Sequence, residues 1–379
     1  MNVLLAGGGT GGHLFPGLAL AEELRRRRPG ERLLLLCTDR DLHYAGLKDA
    51  GVEARALPSS QRGSLPRRVA AMAPALARSM AALAGFRPHA VVGLGGYGSV
   101  APVLCGVLRG IPSVLLEQNV LPGRSNRLLS RVVDEVACQW AESARYFRCP
   151  RKVCVTGNPV RSLVVRRDRA AAAAEMGLAP DLPTLLVMGG SQGARPINDI
   201  VAAAMPDLAQ AGPDTQFIHL AGEADAERVR AAYQQHGLRA RVFGFLADVA
   251  LAYSACDLAL SRAGGTSIAE FTALGIPCVL VPYPHAMDNH QHLNARVLEY
   301  RGAAVLAEQA TLTPQALARQ VAALLGDRAR LGYMARQSQL MGVPRAAAVV
   351  ADRIEGLVAG TRRERPPLVA RLLAGRGSI

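Results

Sequence analysis

The 379 residues suit two domains of roughly 150 to 190 residues each, not one core. Half of them are hydrophobic and 20% are charged, which excludes a disordered chain, and Gly and Pro without a period exclude a collagen-like one. Lys plus Arg number 44 against 30 Asp plus Glu, and the net +14 points to an anionic partner: nucleic acid, a phosphorylated substrate or acidic lipid.

The seven cysteines are scattered, odd in number and without a Cys-x-x-Cys pair, a pattern that suits a reducing cytoplasm. Met1-Asn2-Val3-Leu4-Leu5 runs straight into glycines, so no export signal is expected. The longest apolar stretch, 69–85, is interrupted by Pro74 and Arg78 and is too short to span a bilayer.

In chain order, apolar runs predict strands at 3–6, 33–37, 90–92, 113–116 and 153–155, with a helix opened by Pro16 and closed near Gly30. After Gly157-Asn158-Pro159-Val160-Arg161 the alternation pauses. An Ala-rich helix at 170–176 then leads to strands at 184–188, 216–220, 241–243, 258–260 and 278–281. Apolar strands separated by helices mean parallel sheets covered on both faces. The expectation is an α/β chain of two Rossmann-like doubly wound domains. Residues 1–161 form the first and 162–343 the second; a helix at 344–360 packs back on the first, and 361–379 is a basic tail.

Charge divides unevenly. Residues 1–161 hold 22 Lys plus Arg against 11 Asp plus Glu, a net +11; residues 162–343 come to −1 and residues 344–379 to +4. The anionic partner therefore belongs to the first half and the tail.

Each half carries two glycine turns placed after strands. They are Gly7-Gly8-Gly9-Thr10-Gly11-Gly12-His13 and Gly93-Leu94-Gly95-Gly96-Tyr97-Gly98-Ser99, then Gly189-Gly190-Ser191-Gln192-Gly193-Ala194 and Arg262-Ala263-Gly264-Gly265-Thr266-Ser267. Such turns let backbone N–H groups approach a phosphate at a helix N-terminus; the bland alternative is tight turns needing positive φ. The first also fits Gly-x-Gly-x-x-Gly, with Asp39 as the acidic residue, which leaves a nicotinamide or flavin oxidoreductase as an alternative. His13 stands where a P-loop lysine would, which disfavours an NTPase. A nucleotide-binding, non-enzymatic module is a third reading. Nucleic acid is the weakest partner, because aromatics are 4% and no nucleic-acid motif is present.

His13, beside the first loop, is a candidate general base. Glu270, within two turns of Gly264-Gly265, suits ribose hydroxyls, the alternative being a solvated helix glutamate. Glu117-Gln118-Asn119 and Arg161 are expected to point toward an inter-domain cleft. Two metal patterns are weak: His285, Asp288, His290 and His292 lack helical zinc spacing, and Asp39-Arg40-Asp41 reads as a solvated charged loop. No metal or other cofactor is expected. The stretch 63–87 sets Leu65, Val69, Met72, Leu76, Met80, Leu83 and Phe86 at helical spacing among Arg62, Arg67, Arg68, Arg78 and Arg87. That pattern fits either a core-facing helix or one resting on acidic phospholipid, and the +11 favours the membrane.

In order, the loops, Glu117-Gln118-Asn119 with Gly123 and Asn126, Gly157 to Arg161, Arg262 to Glu270 and Asp288 to Ala295 resemble the MurG family of GT-B glycosyltransferases. The resemblance runs to about residue 355, with Leu116 and Gly265 standing where His and Ala are common. It implies two domains facing a cleft, the first taking lipid I at the cytoplasmic face of the inner membrane as a peripheral protein, the second UDP-GlcNAc. The implied reaction is inverting transfer of GlcNAc to the C4 hydroxyl of lipid I, giving lipid II for peptidoglycan synthesis, with the cell-wall machinery as a further partner. By motif, His13 is the base, and Thr10, Gly11, Gly12 and Asn119 serve the acceptor or sugar-nucleotide site. Arg161, Ser191, Gly265, Thr266, Ser267, Ile268, Ala269, Glu270 and Gln291 bind the donor, with Leu246 at the uracil.

Overall fold

The computed structural model describes residues 1–9, 11–42, 47, 50–58, 65–190 and 193–360, with Arg40 and 65–71 as backbone alone. Thr10, Arg62, Ser191 and the tail 361–379 lie outside the described residues, as do the side chains of Leu65, Arg67, Arg68 and Val69. The chain forms two compact units: Met1–Ser162 with the described residues from Val343 on, and Leu163–Gly342.

In the first unit, β1 (Asn2–Gly7), β2 (Arg32–Cys37), β3 (Glu53–Ala56), β4 (Ala90–Gly95), β5 (Ser113–Glu117), β6 (Glu135–Cys138) and β7 (Val153–Val155) pair in parallel, in the order β3-β2-β1-β4-β5-β6-β7. The helices are α1 (Gly11–Arg27), α2 (Asp39–Leu42), α3 (Leu65–Phe86), α4 (Val100–Leu108) and α5 (Arg124–Leu129). Alternation along β1 sends Val3 and Leu5 into a core with Leu14, Leu18 and Leu24 of α1, and Leu4 and Ala6 into one with Leu83 and Phe86 of α3 and Val103 of α4. With both faces covered, the strand is apolar from Val3 on.

The second unit repeats the plan. Strands β8 (Thr184–Met188), β9 (Gln216–Leu220), β10 (Arg239–Phe243), β11 (Leu258–Ser261), β12 (Cys278–Leu280) and β13 (Ala304–Leu306) pair in parallel, in the order β10-β9-β8-β11-β12-β13. Around them lie α6 (Arg169–Glu175), α7 (Arg195–Ala211), α8 (Ala226–Gln235), α9 (Val249–Ala255), α10 (Gly265–Leu274), α11 (His290–Tyr300), α12 (Pro314–Gly326) and α13 (Arg328–Met341). Side-chain oxygens of Asp168, Thr313 and Asp327 cap α6, α12 and α13 by accepting N–H groups three residues on. The last helix, α14 (Ala346–Gly360), belongs to the first unit: Val350, Ala351 and Ile354 are buried in the α1 core. Arg27 pairs with Asp352 at 2.7 Å and Arg353 with Glu135 at 2.6 Å, tying α14 to α1 and to β6.

In each sheet the order reverses once, between β1 and β4 and between β8 and β11. Ligands of open parallel sheets bind at the carboxyl ends of strands beside such a reversal. All four glycine turns follow these four strands.

Two expectations change. The described part of α3 turns Ala75, Ser79, Ala82, Leu83 and Phe86 inward, and of the described stripe residues Met72 and Leu76 also pack against that core while Met80 is 40% exposed. The helix after β1 starts at Gly11, not Pro16, which lies buried inside it. Among the described residues no helix is long and apolar enough to cross a membrane.

Candidate functional site

In the first unit, β1 and β4 deliver Gly7-Gly8-Gly9 and Gly95-Gly96 side by side. Because α1 opens directly from the loop, His13 sits in its first turn, half-buried. Its imidazole lies on the second loop. A Cβ at Gly95, whose φ is +104°, would fall 2.8 Å from His13 Cδ2 and 3.1 Å from Nε2, so only glycine leaves room for the ring. The same point is 3.6 Å from Gln118 Oε1, and Gln118 Nε2 donates to Leu94 O at 3.0 Å. The ends of β4 and β5 thus meet beside His13.

Glu117, 2% exposed, organises the next loop. Its carboxylate accepts from Asn119 N–H (3.0 Å), Asn119 Nδ2 (3.3 Å), Gly123 N–H (3.0 Å) and Asn126 Nδ2 (2.9 Å). Burial pushes the Glu117 carboxyl up, and these donors oppose the rise by favouring its ionised form. Asn119 is fixed further by Ser143 Oγ, which donates to its carbonyl at 3.0 Å. Arg161 belongs to this unit too, its guanidinium 4.6 Å over the ring of Phe15 in α1. Gly11 and Gly12 are the first residues of α1.

Of Asp39-Arg40-Asp41, expected to be a solvated charged loop, Asp39 is exposed, but the segment forms the short helix α2 and Asp41 is buried. Asp41 is 5% exposed and its Oδ2 accepts from Gly9 N–H and from Thr38, because β2 ends directly behind the first glycine loop.

In the second unit, the loop after β8 packs backbone on backbone. A Cβ at Gly193, φ +70°, would lie 2.5 Å from the Ala221 carbonyl. That carbonyl accepts from Asn198 Nδ2 of α7 at 2.9 Å, and Asn198 Nδ2 also donates to Asp225. Asn198 Oδ1 lies 3.0 Å from His219 Nε2, and His219 Nδ1 lies 3.1 Å from the Tyr233 hydroxyl. With the Asn198 amide donating on one side, its oxygen must accept, so His219 carries its proton on Nε2 and Nδ1 accepts from Tyr233. Burial holds the His219 pKa down to about 3, and the neutral ring links α7, β9 and α8 beneath the loop.

Glu270 is 4% exposed, so the solvated-glutamate alternative does not hold. Tyr253 of α9 donates its hydroxyl to Glu270 Oε2 at 2.6 Å and stacks edge-on against Phe271. Within α10, Gly265, Thr266 and Ser267 form the first turn, while the side chains of Ile268 and Ala269 face the core and the Ile268 N–H is spent on Gly264 O. Buried Arg262 donates to the carbonyls of Val281 and Pro282, both at 3.1 Å, and desolvation pulls its pKa down. Asn294 Nδ2 donates to Ala263 O at 3.0 Å. These two side chains strap the segment after β12 to the α10 loop. On that segment Gln291 Oε1 accepts from Tyr283 N–H at 2.9 Å, and Asp288 and Asn289 adopt left-handed φ of 51° and 55°. Leu246 lies half-buried between β10 and α9.

The four-residue histidine pattern does not converge. His292 meets Glu308 at 2.7 Å, His290 meets Met287 O at 2.7 Å and His285 faces Tyr283. Among the described residues no group of three His, Cys, Asp or Glu side chains could hold a metal ion. Sequence reasoning missed Tyr253 and Asn198, whose partners are distant in the chain and leave no local signal.

Residues 3–138 match the glycosyltransferase family 28 N-terminal domain and residues 184–350 its C-terminal domain. The chain is 45% identical to a UDP-N-acetylglucosamine--N-acetylmuramyl-(pentapeptide) pyrophosphoryl-undecaprenol N-acetylglucosamine transferase of Nitratidesulfovibrio vulgaris, over 96% of this chain and 100% of the relative. It is 39% identical to the protein of that name from Desulforudis audaxviator, over 96% and 100%. The crystal structure of Acinetobacter baumannii MurG superposes with a TM-score of 0.74 at 29% identity, covering 94% of this chain and 99% of that one. A UDP-GlcNAc 2-epimerase from Neisseria meningitidis, at 15% identity and a TM-score of 0.66, shares the fold alone. Sheets, loops and full-length similarity agree: the chain belongs to glycosyltransferase family 28, and within it to the MurG family.

Proposed function

We propose that the chain is an inverting N-acetylglucosaminyltransferase that moves GlcNAc from UDP-GlcNAc to the C4 hydroxyl of undecaprenyl-pyrophosphoryl-MurNAc-pentapeptide (lipid I), forming lipid II and UDP for peptidoglycan synthesis. The observation that carries this reading is 45% identity, along 96% of the chain, to a transferase named for those substrates. The paired glycine loops at each sheet reversal support it, since both ligands are diphosphates.

In this reading residues 1–161 bind the acceptor, with Thr10, Gly11 and Gly12 at its diphosphate and Asn119 at its sugar. His13 takes the proton of the C4 hydroxyl as that oxygen attacks the anomeric carbon of GlcNAc. The bond from that carbon to the UDP oxygen breaks, UDP leaves with the electron pair, and configuration inverts. Residues 162–343 bind the donor. Glu270, aimed by Tyr253, accepts from the ribose hydroxyls, and Leu246 meets the uracil through its backbone. Ser191 and the first turn of α10 (Gly265, Thr266, Ser267) hold the diphosphate, with Ile268 and Ala269 shaping that turn from below. Gln291 offers its Nε2 to the sugar, and Arg161 contributes charge. Helix N-termini supply the field that stabilises the departing diphosphate, so no cofactor enters the proposal.

The place of action is the cytoplasmic face of the inner membrane, as a peripheral protein with acidic phospholipid and the cell-wall synthesis machinery as partners. The +11 of residues 1–161 supports this, as do exposed Leu108 and Leu128 on adjoining helices α4 and α5, with Arg109 and Arg131 beside them. Calorimetry tests the donor: UDP-GlcNAc is expected to bind and NADH not, whereas tight NADH binding without UDP binding would return the chain to the oxidoreductase reading.

A further inference from the structure

The Asp39-Arg40-Asp41 motif has no part in the chemistry above, yet its second aspartate reaches the site. We infer that Asp41 is a positioning residue for the acceptor half: its carboxylate holds the first glycine loop from behind in the shape that receives the acceptor's diphosphate. This rests on the transferase reading.

Three donors converge on one oxygen, Asp41 Oδ2: Gly9 N–H at 2.7 Å, Thr38 N–H at 3.1 Å and Thr38 Oγ1 at 2.7 Å. Asp41 is 5% exposed, so these bonds compete little with water. Gly8 and Gly9, the part of the loop beside Asp41, belong to neither strand nor helix. Gly8 and Gly9 have φ of +140° and +88°, and a backbone run of that kind keeps its shape only when something outside it fixes it. A side chain on Gly8 would collide with Asp41 Oδ2, so the carboxylate fills the space a Cβ would need. On the other side the loop is bounded by β4, where a Cβ at Gly7 would lie 2.7 Å from Gly95 O. Asp41 and Gly95 thus grip the loop from opposite sides, and His13, resting on Gly95, is set by the same grip. Gly9 N–H is committed to Asp41, so this amide shapes the loop and does not bind the ligand.

All three bonds end on a single oxygen, so geometry matters more than charge. The amide oxygen of asparagine can take that place, whereas alanine cannot. Steady-state kinetics with lipid I and UDP-GlcNAc should compare the wild type with Asp41→Ala and Asp41→Asn. Asp41→Ala is expected to raise the acceptor KM about fivefold or more while the donor KM stays within about twofold, and Asp41→Asn to return the acceptor KM to within about twofold of wild type. UDP calorimetry on the same preparations reports the second unit. If Asp41→Ala does not fold, Thr38→Val, which removes one of the three donors, is expected to raise the acceptor KM alone by a smaller factor. An unchanged acceptor KM in Asp41→Ala and Thr38→Val, or equal shifts in both KM values, overturns the inference. Asparagine as damaging as alanine overturns it as well, because charge would then be the cause. A wild type that transfers no GlcNAc to lipid I fails the transferase reading itself and takes this inference with it.

Discussion

In the proposed function His13 and Glu270 divide the chemistry between proton transfer and binding, and kinetics can separate the two. His13 packs on Gly95 at the sheet reversal, and in this reading it acts as base only as the new bond forms. His13→Ala is therefore expected to lower kcat by about a hundredfold or more with donor KM nearly unchanged. Tyr253 donates its hydroxyl to Glu270 at 2.6 Å and fixes that carboxylate. Glu270→Ala should instead weaken donor binding by roughly 1.5 to 3 kcal/mol, about ten- to a hundredfold in Kd, the range of a hydrogen bond to a charged group. Equal loss of kcat and donor affinity in both variants would deny the division. Much of this candidate site is legible in the sequence, because the glycine loops and the residues next to them are local patterns. What stayed hidden is their support: Asp41 looked like a surface charge until β2 placed it behind the loop, and Tyr253 sits in an apolar helix with nothing to mark its hydroxyl.

At the scale of elements, the second unit rests on the network joining α7, β9 and α8. His219 titrates near 6.5 when unfolded but is held to about 3 by burial, with Asp225 and Arg228 as the nearby charges. Between those values the unfolded chain binds a proton that the folded one refuses. Its contribution to stability is complete above pH 6.5 and drains away as pH falls, by about 1.4 kcal/mol per unit, until the folded ring also protonates. Urea melts of the wild type and His219→Gln at pH 7 and pH 5 check this: the variant should lose less stability between them, and parallel losses would refute the assignment. Strands that carry such networks are readable because β8 (Thr-Leu-Leu-Val-Met) and β9 (Gln-Phe-Ile-His-Leu) are mostly apolar and buried along nearly their whole length. Three others are not. β3 is Glu-Ala-Arg-Ala at a sheet edge, where charges discourage further pairing, β13 is a three-residue edge strand, and β6 opens on a glutamate. The start of α1 was misplaced because proline is a common first helical residue, whereas here the glycine loop itself starts the helix.

For the whole molecule, net charge first suggested only an anionic partner. The split of +11 against −1 places the positive excess in residues 1–161, and in the proposed function residues 162–343 bind a nucleotide through loops and helix ends. Among the described residues of α3's apolar stripe, Leu83 and Phe86 are buried and Met72 and Leu76 pack against the same core, so in the proposed function contact with lipid falls to surface arginines and to leucines such as Leu108, 64% exposed. Sedimentation with vesicles should show binding to acidic phospholipid that weakens with salt and with Leu108→Glu; equal binding to neutral vesicles would contradict this. The most direct test of the central claim is transfer itself: labelled UDP-GlcNAc and lipid I incubated with the protein in EDTA. The account predicts label in lipid II with release of UDP. Label that stays in the nucleotide, or appears only as free or epimerised sugar, would contradict it.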